Sequence, residues 1–176
     1  KGIKFHNGEE LTAEDVVFSL NRMLEKPATK IMLDSVENCE IIDKYKVRIN
    51  LNKSSSPLLY TLSYPLTSIL NKKDTLEKND NISVEPVGTG PFKLVDWGSG
   101  EKIELVANED YFQGRAKIDK LIFRGIVENT SRLAGLETGE LDIASIAPID
   151  VNLVNNHKEL YSVSYPTTST EYLAVN

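Results

Sequence analysis

PVGTGPFKLVDW, residues 86 to 97, holds two glycines one residue apart, Gly88 and Gly90. Such a pair suits either a phosphate-cradling loop or a sharp corner before a strand, and the two lead to different folds. A dinucleotide-binding loop needs a third glycine where a helix begins, with backbone N–H groups aimed at the phosphates. Here the third glycine is missing, and Pro91 removes one of those N–H groups. The Gly-Lys-Ser/Thr ending of a Walker loop is absent as well. Residues 92–97, FKLVDW, alternate as a strand does. The stretch reads as a corner that feeds a strand, and nucleotide chemistry drops out.

Downstream, KIELVAN alternates too and is joined to FKLVDW by a Gly98-Ser99-Gly100 turn. IDKLIFRGIV is a third apolar run. NTSRLAGLETGELDIA reads as cap, helix, stop and strand: Asn129 or Thr130 caps, Leu133 and Leu136 face inward, and Gly139 suits the left-handed residue after a helix. PIDVNLVNNH predicts a short helix opened by Pro148, and LYSVSYP and EYLAVN predict strands.

Upstream, LTAEDVVFSLNRMLEKP is the clearest element. Thr12 is placed to cap, with Asp15 three residues on, and Glu14 and Asp15 put negative charge where a helix dipole favours it. Val16, Val17, Leu20, Met23 and Leu24 share one face, and Pro27 stops the run. VENCEII and KVRINL, separated by Asp43-Lys44-Tyr45, predict a hairpin. Ser56 can cap a short helix with Pro57 at its first position. Residues 71–81, charged and poor in apolar side chains, read as an exposed loop or a short surface helix. Helices alternate with strands, which makes the class α/β or α+β. There is no internal repeat and no low-complexity tract.

Several function classes fall away. A net charge of −6 disfavours nucleic acid, whose phosphates call for a basic face. No run of 18 apolar residues exists to cross a bilayer as a helix. Lys1 is not an initiator methionine, so the missing leader says nothing about compartment. Cys39, the only cysteine, makes no internal disulfide and no thiolate cluster, and it reads as a small buried hydrophobe. His6 and His157 have no partner at ligand spacing and read as ordinary polar histidines. No serine sits in a nucleophile elbow. The pairs Glu9-Glu10 and Glu14-Asp15 lie at turn and helix-start positions, where capping explains them. Glu128 and Arg132 read as a surface ion pair rather than a pocket wall. Trp97 reads as a plug at the edge of a core, with a cleft lining as the alternative. No catalytic constellation emerges, so the expectation is a non-enzyme with no cofactor and no metal.

Four stretches in register resemble one family. KGIKFHNGEELTAEDVVFSLNRML is similar to the Lys-Gly-Val-Lys-Phe-His-Asp-Gly…Thr-Ala-Glu-Asp-Val-Val-Phe-Ser pattern of extracytoplasmic solute-binding proteins of ABC importers, the oligopeptide, dipeptide and nickel binders. PVGTGPFKLVDW resembles their Pro-x-Gly-Thr-Gly-Pro-Phe-x-Leu segment. VANEDYFQGRAKIDKLIFRGIVENTSRLAGLETGELDIA resembles the Asn-x-x-Tyr-Trp-x-Gly…Asp…Ile-x-Phe and Arg-x-x-x-Leu-x-x-Gly-Glu-Ile-Asp segments, with Phe112 where the family often has Trp. EYLAVN is similar to the strand leading out of the first lobe.

The resemblance implies an α/β fold with mixed sheets, a fragment of a two-lobed type II periplasmic-binding-protein fold. Residues 1–87 would be most of a small extra α/β domain, and residues 88–176 the central part of the first lobe. The second lobe would be absent. It implies a substrate-binding component that captures peptides in the periplasm or at the outer face of the cytoplasmic membrane, lipid-anchored if the full-length protein carries a lipidated cysteine. Its partners would be a peptide or other small solute and the permease subunits. Thr168, Ser169, Thr170 and Tyr172 are the expected ligand contacts, with a polar strand lead-in as the alternative. A fragment of this kind would expose strand edges and self-associate through them. Nickel, haem or oligosaccharide binding, or a solute-binding module of a transcription regulator or sensor, are the alternatives.

Overall fold

Thr12 is extended (φ −129°, ψ 175°), and its backbone N–H donates to Asp15 Oδ2 at 2.9 Å, so the chain turns into helix α1, Ala13–Glu25, where the sequence places it. The computed structural model describes residues 1–83, 85–98 and 102–166. The chain divides into two units, Lys1–Arg124 and Gly125–Asn176.

In the first unit, Leu20 and Met23 of α1 pack with Leu33, Val36 and Cys39, flanked by Val16, Val17, Leu24, Ile49, Leu58 and Leu62. Cys39 is buried as expected, and burial pushes its thiol pKa up. Pro27 ends α1 and opens a single turn, α2, Pro27–Lys30, continued by a 3-10 turn at Ile31–Leu33. The predicted hairpin is β1, Val36–Asp43, antiparallel to β2, Lys46–Leu51, with irregular register near Val36/Asn38 and Ile41/Asp43. The next helix, α3, Leu58–Thr61, begins one residue later than expected. Pro57 sits before it, its carbonyl accepting from Thr61 N–H at 2.8 Å, and Ser56 does not cap it. A 3-10 turn comes next at Pro65–Thr67. Residues 71–81 contain a true helix, α4, Lys72–Glu77, capped by Asn71 Oδ1 accepting from Asp74 N–H at 2.7 Å.

Strands β3, Phe92–Gly98, β4, Lys102–Ala107, and β5, Lys120–Arg124, form an antiparallel sheet in chain order. The expected turn between β3 and β4 lies mostly outside the described residues. Register sorts the side chains. Phe92, Leu94, Trp97, Ile103, Leu105, Ala107, Leu121 and Phe123 fall on one face, and Lys93, Asp96, Lys102, Glu104, Val106, Lys120, Ile122 and Arg124 on the other. Glu104 on the charged face pairs with Lys102 and with Lys120.

The second unit holds α5, Asn129–Glu137, a 3-10 turn at Pro148–Asp150 and α6, Val151–Asn156. Gly139 has φ +72°, the left-handed stop expected from the sequence. Three expectations fail here. Asn129 does not cap α5: its Oδ1 accepts from Ala147 N–H at 2.8 Å and its Nδ2 donates to Asp150, so its amide is committed to a later segment. Residues 141–147 form no strand. Leu141 instead folds back on the helix, its N–H donating to Gly135 carbonyl at 2.9 Å, and its side chain fills the space a Cβ on Gly135 would need, 2.8 Å away. Residues 160–166, the predicted LYSVSYP strand, form no regular element, because none of the described residues supplies a ladder beside them. EYLAVN lies outside the described residues.

Candidate functional site

The expected ligand contacts Thr168, Ser169, Thr170 and Tyr172 lie outside the described residues. Within the first unit, three features meet at the GTGP corner. The His6 backbone N–H donates to the Gly88 carbonyl at 2.8 Å. Its imidazole Nδ1 accepts from Gly88 N–H at 3.3 Å, and Nε2 lies 3.1 Å from the Gly90 carbonyl. The acceptor role of Nδ1 places the proton on Nε2, which donates. Asn108, almost fully buried, donates from Nδ2 to the same Gly90 carbonyl at 3.0 Å. Lys93 Nζ reaches the His6 carbonyl at 3.3 Å. The glycines thus form a corner, as expected, and the corner is a knot rather than a cradle. His6 is more than an ordinary polar residue: burial lowers its pKa below 6.5, the Gly90 hydrogen bond opposes this, and Lys93 reinforces it.

Beside the knot, a hollow of about 280 Å³ is lined by His6, Pro86, Gly88, Phe92, Leu94, Trp97, Ile103 and Leu105. Trp97 is half exposed on its rim. The core-plug reading of Trp97 is therefore corrected: strand register puts it opposite Ile103 on the apolar sheet face, where it borders an open hollow.

A second groove, about 560 Å³, runs between α1 and α4 over Val17, Phe18, Ile41 and Leu76. At its rim Asp80 takes Arg22 Nε at 2.6 Å and Lys26 Nζ at 2.5 Å, which lower its pKa. Asn79 and Asp80 have positive φ, 50° and 65°, so the chain leaves α4 in a left-handed turn that aims Asp80 back at α1.

The acidic pair Glu9-Glu10 does not cap anything. Glu9 accepts from Lys73 Nζ at 2.9 Å and from Asn71 Nδ2 at 2.9 Å. Glu10 accepts from Lys44 Nζ (2.9 Å), Gly2 N–H (3.0 Å) and Tyr45 Oη (2.9 Å), which together bring its pKa down to about 2. Both carboxylates tie the amino-terminal segment to distant elements. In the second unit Arg132 does not pair with Glu128 either. Its guanidinium gathers the carbonyls of Ser145 (2.7 Å), Ile126 (2.8 Å) and Val127 (2.6 Å), closing the loops around α5. Among the described residues no three His, Cys, Asp or Glu side chains gather as metal ligands.

The sequence pattern of the bacterial extracellular solute-binding proteins, family 5, middle part, matches residues 1–176, and the chain belongs to that family. The oligopeptide-binding protein AppA of Bacillus subtilis is 33% identical over 189 residues, spanning 100% of this chain and 34% of that protein. Heme-binding protein A of Haemophilus influenzae is 33% identical over 168 residues, 81% of this chain and 31% of its own. The structure of NikZ from Campylobacter jejuni in complex with Ni(L-His) superposes with a TM-score of 0.81 at 29% identity, over 89% of this chain and 32% of that one. The fold is the type II periplasmic-binding-protein fold, of which the chain covers part. It spans about a third of the length of these relatives.

Proposed function

We propose that the chain is part of the substrate-binding component of an ABC-type importer, one that captures oligopeptides or dipeptides outside the cytoplasmic membrane and delivers them to the permease. The observation that carries this reading is the match to an oligopeptide-binding relative over the whole chain. Residues 1–87 serve as the small extra domain and residues 88–176 as the central part of the first lobe. Ligand contacts to two lobes favour the closed state, and closure is a population shift rather than chemistry. The peptide lies extended and is held through its main chain, which leaves its side chains weakly discriminated. Thr168, Ser169, Thr170 and Tyr172 supply hydroxyls that both donate and accept. The chain binds and does not transform: its relatives carry names that state what they bind.

Calorimetry with short peptides tests this on the longer polypeptide that carries these residues. Micromolar or tighter binding is expected there, with none detectable for residues 1–176 alone. Ser169→Ala combined with Tyr172→Phe is expected to weaken it about tenfold. A haem-binding relative at the same identity supports a second reading, so haem and a nickel–histidine chelate belong in the same titration. Binding of either with no peptide bound would replace the peptide reading.

A further inference from the structure

The groove between α1 and α4 encloses about 560 Å³, inside the span of roughly 300–1,000 Å³ typical of small-molecule sites. Its floor is apolar. Val17 and Phe18 of α1, half-buried, meet Ile41 of β1 and Leu76 of α4, which are 50% and 58% exposed. The charges of its lining do not all cancel locally. Lys72 Nζ lies 3.2 Å from Glu14, one charge against one. Arg22 and Lys26, by contrast, share the single carboxylate of Asp80, which leaves one positive charge over. The left-handed Asn79 and Asp80 hold that carboxylate on both cations, so the surplus is fixed at the end of the groove. Glu25, the last residue of α1, supplies the balancing negative charge, yet among the described residues its carboxylate has no ion-pair or hydrogen-bond partner. The carboxamides of Asn21 and Asn79, also in the lining, have no side-chain partner among those residues either. An apolar floor with one surplus charge of each sign and uncommitted polar groups is equipped to orient a ligand.

We propose that the α1–α4 groove is a ligand site for a zwitterion with an apolar side chain, of the size of a free amino acid or a dipeptide. The side chain rests on Val17, Phe18, Ile41 and Leu76. The ammonium group pairs with Glu25, and the carboxylate with Arg22 and Lys26, whose two charges Asp80 only half offsets. Asn21 and Asn79 each offer a donor and an acceptor to the ligand's remaining polar atoms. A ligand with only one of the two charges leaves the opposite surplus unmet, which sets the specificity. All of these residues lie in the first unit, and the proposal holds whether or not the importer's solute is a peptide.

Phenylalanine and three blocked forms of it test this on the longer polypeptide that carries these residues. Its amide keeps only the ammonium group, N-acetylphenylalanine keeps only the carboxylate, and N-acetylphenylalanine amide keeps neither. Ligand-observed NMR reads the four affinities. Phenylalanine is expected to bind at least about threefold tighter than either singly blocked form, the worth of one solvent-exposed ion pair. Glu25→Gln should bring phenylalanine down to the level of its N-acetyl derivative, and Lys26→Gln to that of its amide. Leu76→Ser, at a position 58% exposed, should weaken all four about threefold or more. Equal affinity for the four forms overturns the proposal, as does binding of none of them. So does a preference for phenylalanine that survives both Glu25→Gln and Lys26→Gln, since the charges that set it then lie elsewhere. Peptide calorimetry on Glu25→Gln is expected to match the parent chain, so the groove and the peptide reading stand or fall separately.

Discussion

His6 shows how one side chain fixes a corner that glycines alone would leave loose. Its neutral form is the one that accepts from Gly88 and donates to Gly90; protonation puts a second proton on Nδ1 and breaks the first bond. Because burial lowers its folded pKa below 6.5, the unfolded chain binds the proton more readily. The stabilisation is therefore complete above pH 6.5 and lost as pH falls through the lower folded value. Comparing urea midpoints of the parent chain and His6→Gln between pH 7.5 and pH 5 should show the parent's advantage shrinking with acid; an advantage constant over that range would rule the mechanism out. None of this was legible in the sequence. The partners of His6 lie more than 80 residues away, and an isolated histidine carries no signal of them.

Among the elements, α1 was the most legible, since its capping residues and apolar spacing are local. What the local pattern does not show is that Asp15 serves two helices. Its Oδ2 accepts from Thr12 N–H at 2.9 Å, and its Oδ1 accepts from Lys72 N–H, at the start of α4, also at 2.9 Å. Nearby, the buried Ser19 hydroxyl donates to the Asp15 carbonyl at 2.7 Å and accepts from Leu70 N–H at 2.8 Å. A capping signature thus doubles as the joint between α1 and α4. Asp15→Ala removes a cap and leaves a second N–H unpaired, which should lower the unfolding free energy by about 2–4 kcal/mol. Chemical denaturation measures it, and a loss below about 0.5 kcal/mol, the range of ordinary surface changes, would show that water replaces the carboxylate without cost. The strands divide differently. β1 to β4 were legible from alternation and β5 lies inside a run read only as apolar, whereas residues 141–147 and 160–166 carry apolar side chains but form no strand.

At the scale of the molecule, two outer strands, β3 and β5, pair on one side only among the described residues. Tyr161, Val163 and Tyr165 alternate along an unladdered segment and are each at least 74% exposed. Unpaired edges and exposed apolar residues each promote association. Residues 1–176 are therefore expected to self-associate, with light scattering showing mass rising with concentration; a constant monomer mass up to high concentration would refute it. By itself the sequence determined the start and stop of α1, the β1–β2 hairpin, the strands β3 and β4 and the family, because each depends on residues within a few positions of one another or on motifs kept in order. Only the tertiary structure decided that the glycine corner is locked by His6 and Asn108, that Glu9 and Glu10 are ties rather than caps, and that Trp97 borders an open hollow. Those outcomes rest on hydrogen bonds and burial between segments far apart in the chain, and a period of two or of 3.6 residues carries no information about them.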